Sequence, residues 1–263
     1  RFLETSLASR NGLDLTMGSA GTLLAATRLL EMMPRSRMRL RSALTTLGDG
    51  TLDQLWRAAE WPEEPGIAHG RAGILYATLG WCAATGRALP RAFTPRLREL
   101  ADMAEPLGRG VRWAQPEVSA GPSIWATHEV AGWCNGPAGM THLWLAAYER
   151  SRREEHLSLA EGSGWSSWEA RSGSTDLCCG YVGRAYALLA LYRHTGRAEW
   201  LERAQALAGL ARARFGERRE ALERPLSLFK GIAGLALLAC DLERPEAAAI
   251  PLFAPFVVDH HTA

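Results

Sequence analysis

Gly132-Trp133-Cys134-Asn135-Gly136-Pro137-Ala138-Gly139 places a cysteine two residues ahead of a Gly-x-x-Gly that opens an apolar run. Leu177-Cys178-Cys179-Gly180-Tyr181-Val182-Gly183 repeats the arrangement. The same Gly-x-x-Gly occurs at Gly18-Ser19-Ala20-Gly21, Gly70-Arg71-Ala72-Gly73 and Gly231-Ile232-Ala233-Gly234, at intervals that suit a helical hairpin with its connections. The runs that follow, such as Thr22 to Leu30, Ile74 to Trp81 and Arg184 to Tyr192, are apolar on most faces. That is the pattern of inner helices surrounded by others. Pro137 suits a first helical position, where its missing N–H costs nothing.

More polar helices are predicted between these runs, within Leu52–Ala59, Leu97–Met103 and Glu199–Phe215. In the last of these, Trp200, Leu201, Ala204, Leu207, Ala208 and Ala211 recur at three and four, the mark of an outer amphipathic helix. Pro106–Ser123 and Glu161–Thr175, rich in Gly with Pro or Ser, read as loops that cover the cysteine motifs. Trp125, Trp165 and Trp168 are then loop residues available to a peptide groove. No run alternates with period two. The predicted fold is all-α, an α/α toroid of alternating inner and outer helices. Residues 1–256 form one domain and 257–263 a tail in which His260 and His261 are incidental. A closed toroid takes more than five hairpins, and the chain opens at Arg1 without Met, so one or two N-terminal repeats are expected upstream.

The 263 residues are long enough for a large core. A net charge of +2 gives no case for nucleic acid, and the basic clusters at Arg35–Arg41 and Arg150–Arg153 read as solvated surface. No apolar run is long enough for a membrane span. The odd cysteine count and the adjacent pair Cys178-Cys179 argue against a disulfide framework and for thiolates in a reduced, cytoplasmic protein.

In a toroid every inner helix starts at the same end, so residues just ahead of each Gly-x-x-Gly converge at one mouth. Asp14, His69, Cys134, Cys178, Cys179 and Lys230 hold those places. A helix N-terminus favours thiolate. Cys134, Cys178 and Cys179 together read as the ligands of one zinc ion, with a fourth position open as in catalytic sites. Asp14 and His69 form an acid/base pair, although Asp14 is also placed as a simple helix cap. Lys230 suits a substrate carboxylate or is a helix-end surface lysine. His142, His156 and His194 read as core or surface residues, and Cys82 and Cys240 as small buried hydrophobes.

These motifs resemble those of the lanthionine synthetase C-like cyclases: Asp14-x-x-x-Gly18-x-x-Gly21, His69-Gly70-x-x-Gly73, Trp133-Cys134-x-Gly136-x-x-Gly139 and Cys178-Cys179-Gly180-x-x-Gly183. The likeness runs from about Asp14 to Phe253. It implies a zinc site in which Cys179 stands at the usual histidine position, as in the cyclase domain of some multidomain lanthipeptide synthetases. It further implies a lanthipeptide precursor as substrate and an upstream dehydratase or kinase-type domain as partner. A peptide cysteine coordinated to zinc would lose its proton and attack dehydroalanine or dehydrobutyrine, and His69, oriented by Asp14, would protonate the enolate. A third thiolate in place of imidazole makes the complex more negative and the substrate sulfur more nucleophilic. The chain departs from the family at Val130, where an Arg is usual, and at Asn135, where a Tyr or His is usual; His128 lies nearby as a substitute. A degenerate binding module that keeps zinc without turnover is the alternative. A glycosidase on a similar toroid needs two carboxylates at the mouth, and only Asp14 is so placed.

Overall fold

The computed structural model describes residues 12–114, 131–171, 173–218 and 226–256. Val130, His128, Trp125, His260 and His261 lie outside the described residues. The chain divides into two compact units, one of residues 1–102 with 255–263 and one of residues 103–254.

The first unit holds α1 (Ser19–Met32), α2 (Met38–Arg57), α3 (Arg71–Thr85) and α4 (Phe93–Asp102). Inner helices α1 and α3 pack on each other, α2 lies on both, and α4 lies on α3. Their cores are apolar: Ile74, Leu75, Ala77 and Trp81 of α3 are fully buried. The α2–α3 contact is close because Gly48 has no side chain, and an added Cβ there would sit 2.1 Å from the Trp81 ring.

The second unit holds a hairpin of β1 (Ala104–Leu107) and β2 (Gly110–Trp113), then α5 (Pro137–Ser151), α6 (Glu154–Glu169), α7 (Tyr181–Thr195), α8 (Ala198–Arg218) and α9 (Ile232–Asp241). Inner helices α5, α7 and α9 pack in sequence, with α6 against α5 and α8 against α7. The five inner helices each begin just after the first glycine of a Gly-x-x-Gly, where the sequence predicts a helix start, and the outer helices run longer than the stretches expected of them. Among the described residues no helix is long and apolar enough to cross a membrane.

Two expected loops contain regular secondary structure. Residues 104–113 form the hairpin rather than loop. The stretch from Glu161 to Glu169 belongs to α6, whose Gly162, Ser163, Gly164, Ser166 and Ser167 are buried. These small residues allow close packing: a Cβ on Gly164 would strike Leu191 of α7, and one on Gly110 would strike the Ser166 backbone. Trp165 and Trp168 are therefore helix residues, and the guanidinium groups of Arg109 and Arg203 lie 3.8 and 4.4 Å from the Trp165 ring centroid. Arg184, inside the apolar start of α7, is 1% exposed and donates to the carbonyls of Ser167, Trp168 and Ala170, which terminate α6. It supplies the partners that the end of a buried helix requires.

Candidate functional site

Each inner helix is preceded by a tight turn folded back on the helix's own first residues. Gly70 N–H donates to Gly66 O, Gly180 N–H to Asp176 O and Gly231 N–H to Ser227 O. The first glycine of each motif is extended, at φ between −110° and −129°, so it is required by contact rather than by a left-handed backbone. A Cβ on Gly70 would meet Glu64 O at 2.1 Å, and one on Gly180 would meet Ser174 O at 2.2 Å. A Cβ on the second glycine would meet the carbonyl six residues back, at 2.2 Å for Gly21 and Gly73 and 2.1 Å for Gly183. A Gly-x-x-Gly is thus the condition for laying the turn against its own helix.

Successive turns are hydrogen-bonded through their residues two before the first glycine. Thr16 N–H donates to Ala68 O at 3.2 Å, Cys134 N–H to Cys178 O at 3.0 Å, and Cys178 N–H to Phe229 O at 2.9 Å. The residue ahead of that position packs on the next motif's second glycine, Leu15 on Gly73, Trp133 on Gly183 and Leu177 on Gly234. Trp133 is buried, with the rings of Phe229 and Phe253 against it at centroid distances of 5.0 and 5.3 Å.

In the second unit this ladder brings Cys134, Cys178 and Cys179 together, with their sulfurs all within 4.8 Å. Cys134 Sγ lies 3.4 Å and Cys178 Sγ 3.5 Å from Cys179 Sγ. Gly132 permits this approach, because its Cα lies against the Cys179 backbone where a Cβ would meet Cys179 Cα at 2.5 Å. Asp176 Oδ1 accepts the Cys179 N–H at 2.8 Å, and Lys230 Nζ donates to Cys179 Sγ at 3.0 Å.

Three thiols in contact cannot all ionise by themselves. Bonding to Cys178 and Cys179, then burial, pushes the Cys134 thiol far above its ordinary range. Cys178 is drawn down by Cys134 and driven up by Cys179 and burial, ending at about 11. Bonds from Cys134 and Cys178, helped by Lys230, hold Cys179 well below the thiol range. Burial lowers Lys230, but its bond to Cys179 and the nearby charges outweigh that and leave it raised. Three cysteine sulfurs this close could hold one metal ion. The donor set fits zinc: thiolates on a tetrahedral ion, at a Zn–S distance of about 2.3 Å, are separated by about 3.8 Å.

In the first unit the turns bring Asp14 and His69 together. Asp14 Oδ2 lies 3.7 Å from His69 Nδ1, while Oδ1 accepts the Met17 N–H at 2.7 Å. Asp14 is therefore both a cap and the carboxylate beside the imidazole. Thr16 is the residue that sequence reasoning missed: its Oγ1 lies 2.9 Å from His69 Nδ1, 3.1 Å from Asp14 Oδ1 and 3.1 Å from Ala68 O. Asp176 was also missed. It stands four residues ahead of Gly180 as Asp14 does of Gly18, and each caps the residue three further on.

Other expectations divide. His142 and His156 are buried core residues and His194 faces Glu149 at 3.6 Å. Cys82 is buried, but Cys240 is exposed, correcting its reading as a buried hydrophobe. Asn135 is half-buried beside Cys134.

Comparison with known proteins agrees with this construction. The chain is 28% identical over 204 residues to zebrafish (Danio rerio) "Glutathione S-transferase LANCL1", covering 74% of this chain and 47% of that protein. It is 33% identical over 128 residues to Arabidopsis thaliana "LanC-like protein GCL1", covering 45% of this chain and 29% of that protein. The chain thus spans about half the length of the zebrafish relative or less. Among solved structures, "Nisin cyclase" superposes with a TM-score of 0.69 at 15% identity, over 92% of this chain and 68% of that one, and the fold is the α/α toroid. The sequence model of "Lanthionine synthetase C-like protein" matches residues 2–254, across both units, and the chain belongs to that family.

Proposed function

We infer that this protein is a zinc-dependent cyclase that closes lanthionine and methyllanthionine rings in a dehydrated lanthipeptide precursor. The observation that carries this reading is the cluster of Cys134, Cys178 and Cys179, whose sulfurs lie within 4.8 Å at the starts of two inner helices. Cys134, Cys178 and Cys179 would hold the zinc, which would supply the Lewis acidity that favours the thiolate of a peptide cysteine. The chain's own residues do the rest. Lys230 and Asp176 hold Cys179 in place. Buried Trp133 sets the Cys134 turn on the next helix.

The new bond joins the peptide sulfur to the β-carbon of dehydroalanine or dehydrobutyrine, and the α-carbon then takes a proton. His69 is the proposed donor. Its Nδ1 is engaged by Thr16 at 2.9 Å and lies 3.7 Å from Asp14 Oδ2, which leaves Nε2 for the substrate. The proposed substrate is a precursor that already carries dehydroalanine or dehydrobutyrine, which calls for a dehydrating activity as partner.

The test is incubation with a dehydrated peptide carrying free cysteine, followed by alkylation and mass spectrometry. The expected result is loss of one alkylatable thiol per ring at constant peptide mass. Full retention of thiols by a zinc-loaded protein supports the alternative, a peptide-binding module without turnover, which the Val130 and Asn135 departures motivate. The zebrafish relative's name favours a second reading, transfer of glutathione to the substrate. It is seen in the same assay as an added glutathione mass.

A further inference from the structure

We propose that Lys230 is a positioning residue of the three-cysteine centre, which holds the Cys179 sulfur through an N–H···S hydrogen bond and supplies the positive charge that a third thiolate calls for. This rests on the zinc reading above and assigns a role to a residue outside the ligand set. Lys230 Nζ lies 3.0 Å from Cys179 Sγ, within hydrogen-bonding distance for sulfur. Its nearest carboxylate oxygen, Asp176 Oδ1, is 3.9 Å away and already accepts the Cys179 N–H at 2.8 Å. The lysine is thus aimed at the sulfur rather than at a surface acid.

The backbone fixes that aim. Ser227 Oγ accepts the Lys230 N–H at 3.1 Å, capping the turn as Asp176 caps the one before it. Cys178 N–H donates to Phe229 O at 2.9 Å, so the residues preceding Cys179 and Lys230 are tied together. Lys230 occupies in the fifth repeat the place that Cys179 holds in the fourth, one residue before the first glycine.

The charge balance gives the reason. A dication with two thiolates and a neutral imidazole is neutral, whereas three thiolates leave one net negative charge. An ammonium 3.0 Å from the third sulfur restores neutrality. Hydrogen bonding also lowers the donor strength of that sulfur, so Lys230 tempers the electron-rich metal centre that three thiolates create. Partners of metal ligands at this remove typically matter about 10–100-fold in affinity.

The experiment compares the parent with Lys230→Met, which keeps the stem but removes charge and donor, and Lys230→Arg, which keeps both. Zinc affinity is read by chelator competition, and the cobalt-substituted protein by its sulfur-to-metal charge-transfer absorption. Lys230→Met is expected to bind zinc about tenfold more weakly, with the charge-transfer band moved to lower energy. Lys230→Arg is expected to return both readouts toward the parent, with unchanged melting temperature across the set. A Lys230→Met protein with parental affinity and spectrum overturns the proposal and leaves the cyclase reading standing. Equal loss in the methionine and arginine variants also overturns it, since packing rather than charge would then be responsible. A parent that binds neither metal overturns both readings. Shifted metal readouts without peptide thiol loss support Lys230 and sink the cyclase.

Discussion

Gly132→Ala tests the link between backbone packing and the metal centre. The new Cβ would lie 2.5 Å from Cys179 Cα, 2.8 Å from Cys179 C and 2.9 Å from Cys178 O. All three are backbone atoms, so no rotamer change relieves the clash. The two turns must part by roughly 0.9 Å before ordinary contact at 3.4 Å is reached. Overpacking of this kind costs about 1–3 kcal/mol. Separation also loses the 3.0 Å bond from Cys134 N–H to Cys178 O, worth about 1 kcal/mol. A loss of about 2–4 kcal/mol lowers the melting temperature by about 4–16 °C in a chain of this size. Cys134 moves away from Cys178 and Cys179 by several times the roughly 0.2 Å that metal–ligand distances tolerate. Zinc affinity should therefore fall about 100-fold. Gly209→Ala is the control: Gly209 lies in the exposed face of α8 with nothing within 4 Å of an added Cβ. That change should be neutral or stabilising by up to about 1 kcal/mol. The assays are thermal unfolding by circular dichroism and zinc competition against a chromophoric chelator. A Gly132→Ala protein that melts within 1 °C of the parent and binds zinc equally well, on a scale where about 2–4 °C corresponds to 1 kcal/mol, would refute the reasoning.

Asp14→Asn keeps an oxygen to accept the Met17 N–H and removes only the charge facing His69 at 3.7 Å. Stability should change by less than about 1 kcal/mol, zinc content should stay the same and the cyclisation kcat should fall about tenfold or more; an unchanged kcat confines Asp14 to capping. His142 is buried against Phe253, and burial together with the Arg193 charge holds its imidazole down to about 3. The unfolded chain takes up that proton below about pH 6.5 and the folded chain does not. The contribution is therefore fully present above about pH 6.5 and is lost as pH falls toward 3, at up to about 1.4 kcal/mol per unit. Stability of the parent relative to His142→Leu should fall along that slope, and parallel pH profiles for the two proteins would count against a neutral buried His142.

The inner helices were readable because each combines an apolar run with a start signal repeated five times, and repetition made a weak motif informative. The same register placed all three cysteines and the Asp14–His69 pair. It held enough to find Asp176, since Asp14 and Asp176 stand at equivalent positions, but Thr16 carries no motif and is brought to His69 by a bond between turns. Helix α6 was hidden because Gly162, Ser163, Gly164, Ser166 and Ser167 have poor helix propensity. They are helical because β2 and α7 pack too closely for larger residues, a tertiary cause that no local pattern reports. The hairpin of residues 104–113 has four residues per strand, too few for alternation to show. Cys240 was misread because α9 is apolar on both sides, although its 239–240 face is exposed.

Zinc content per folded chain, measured for the parent and for Cys134→Ala by mass spectrometry of the purified proteins, tests most directly that Cys134, Cys178 and Cys179 form one metal centre. The predicted result is one zinc per parent chain and nearly complete loss in the variant at retained helicity. A parent without zinc, or a Cys134→Ala protein that keeps its full complement, would contradict it.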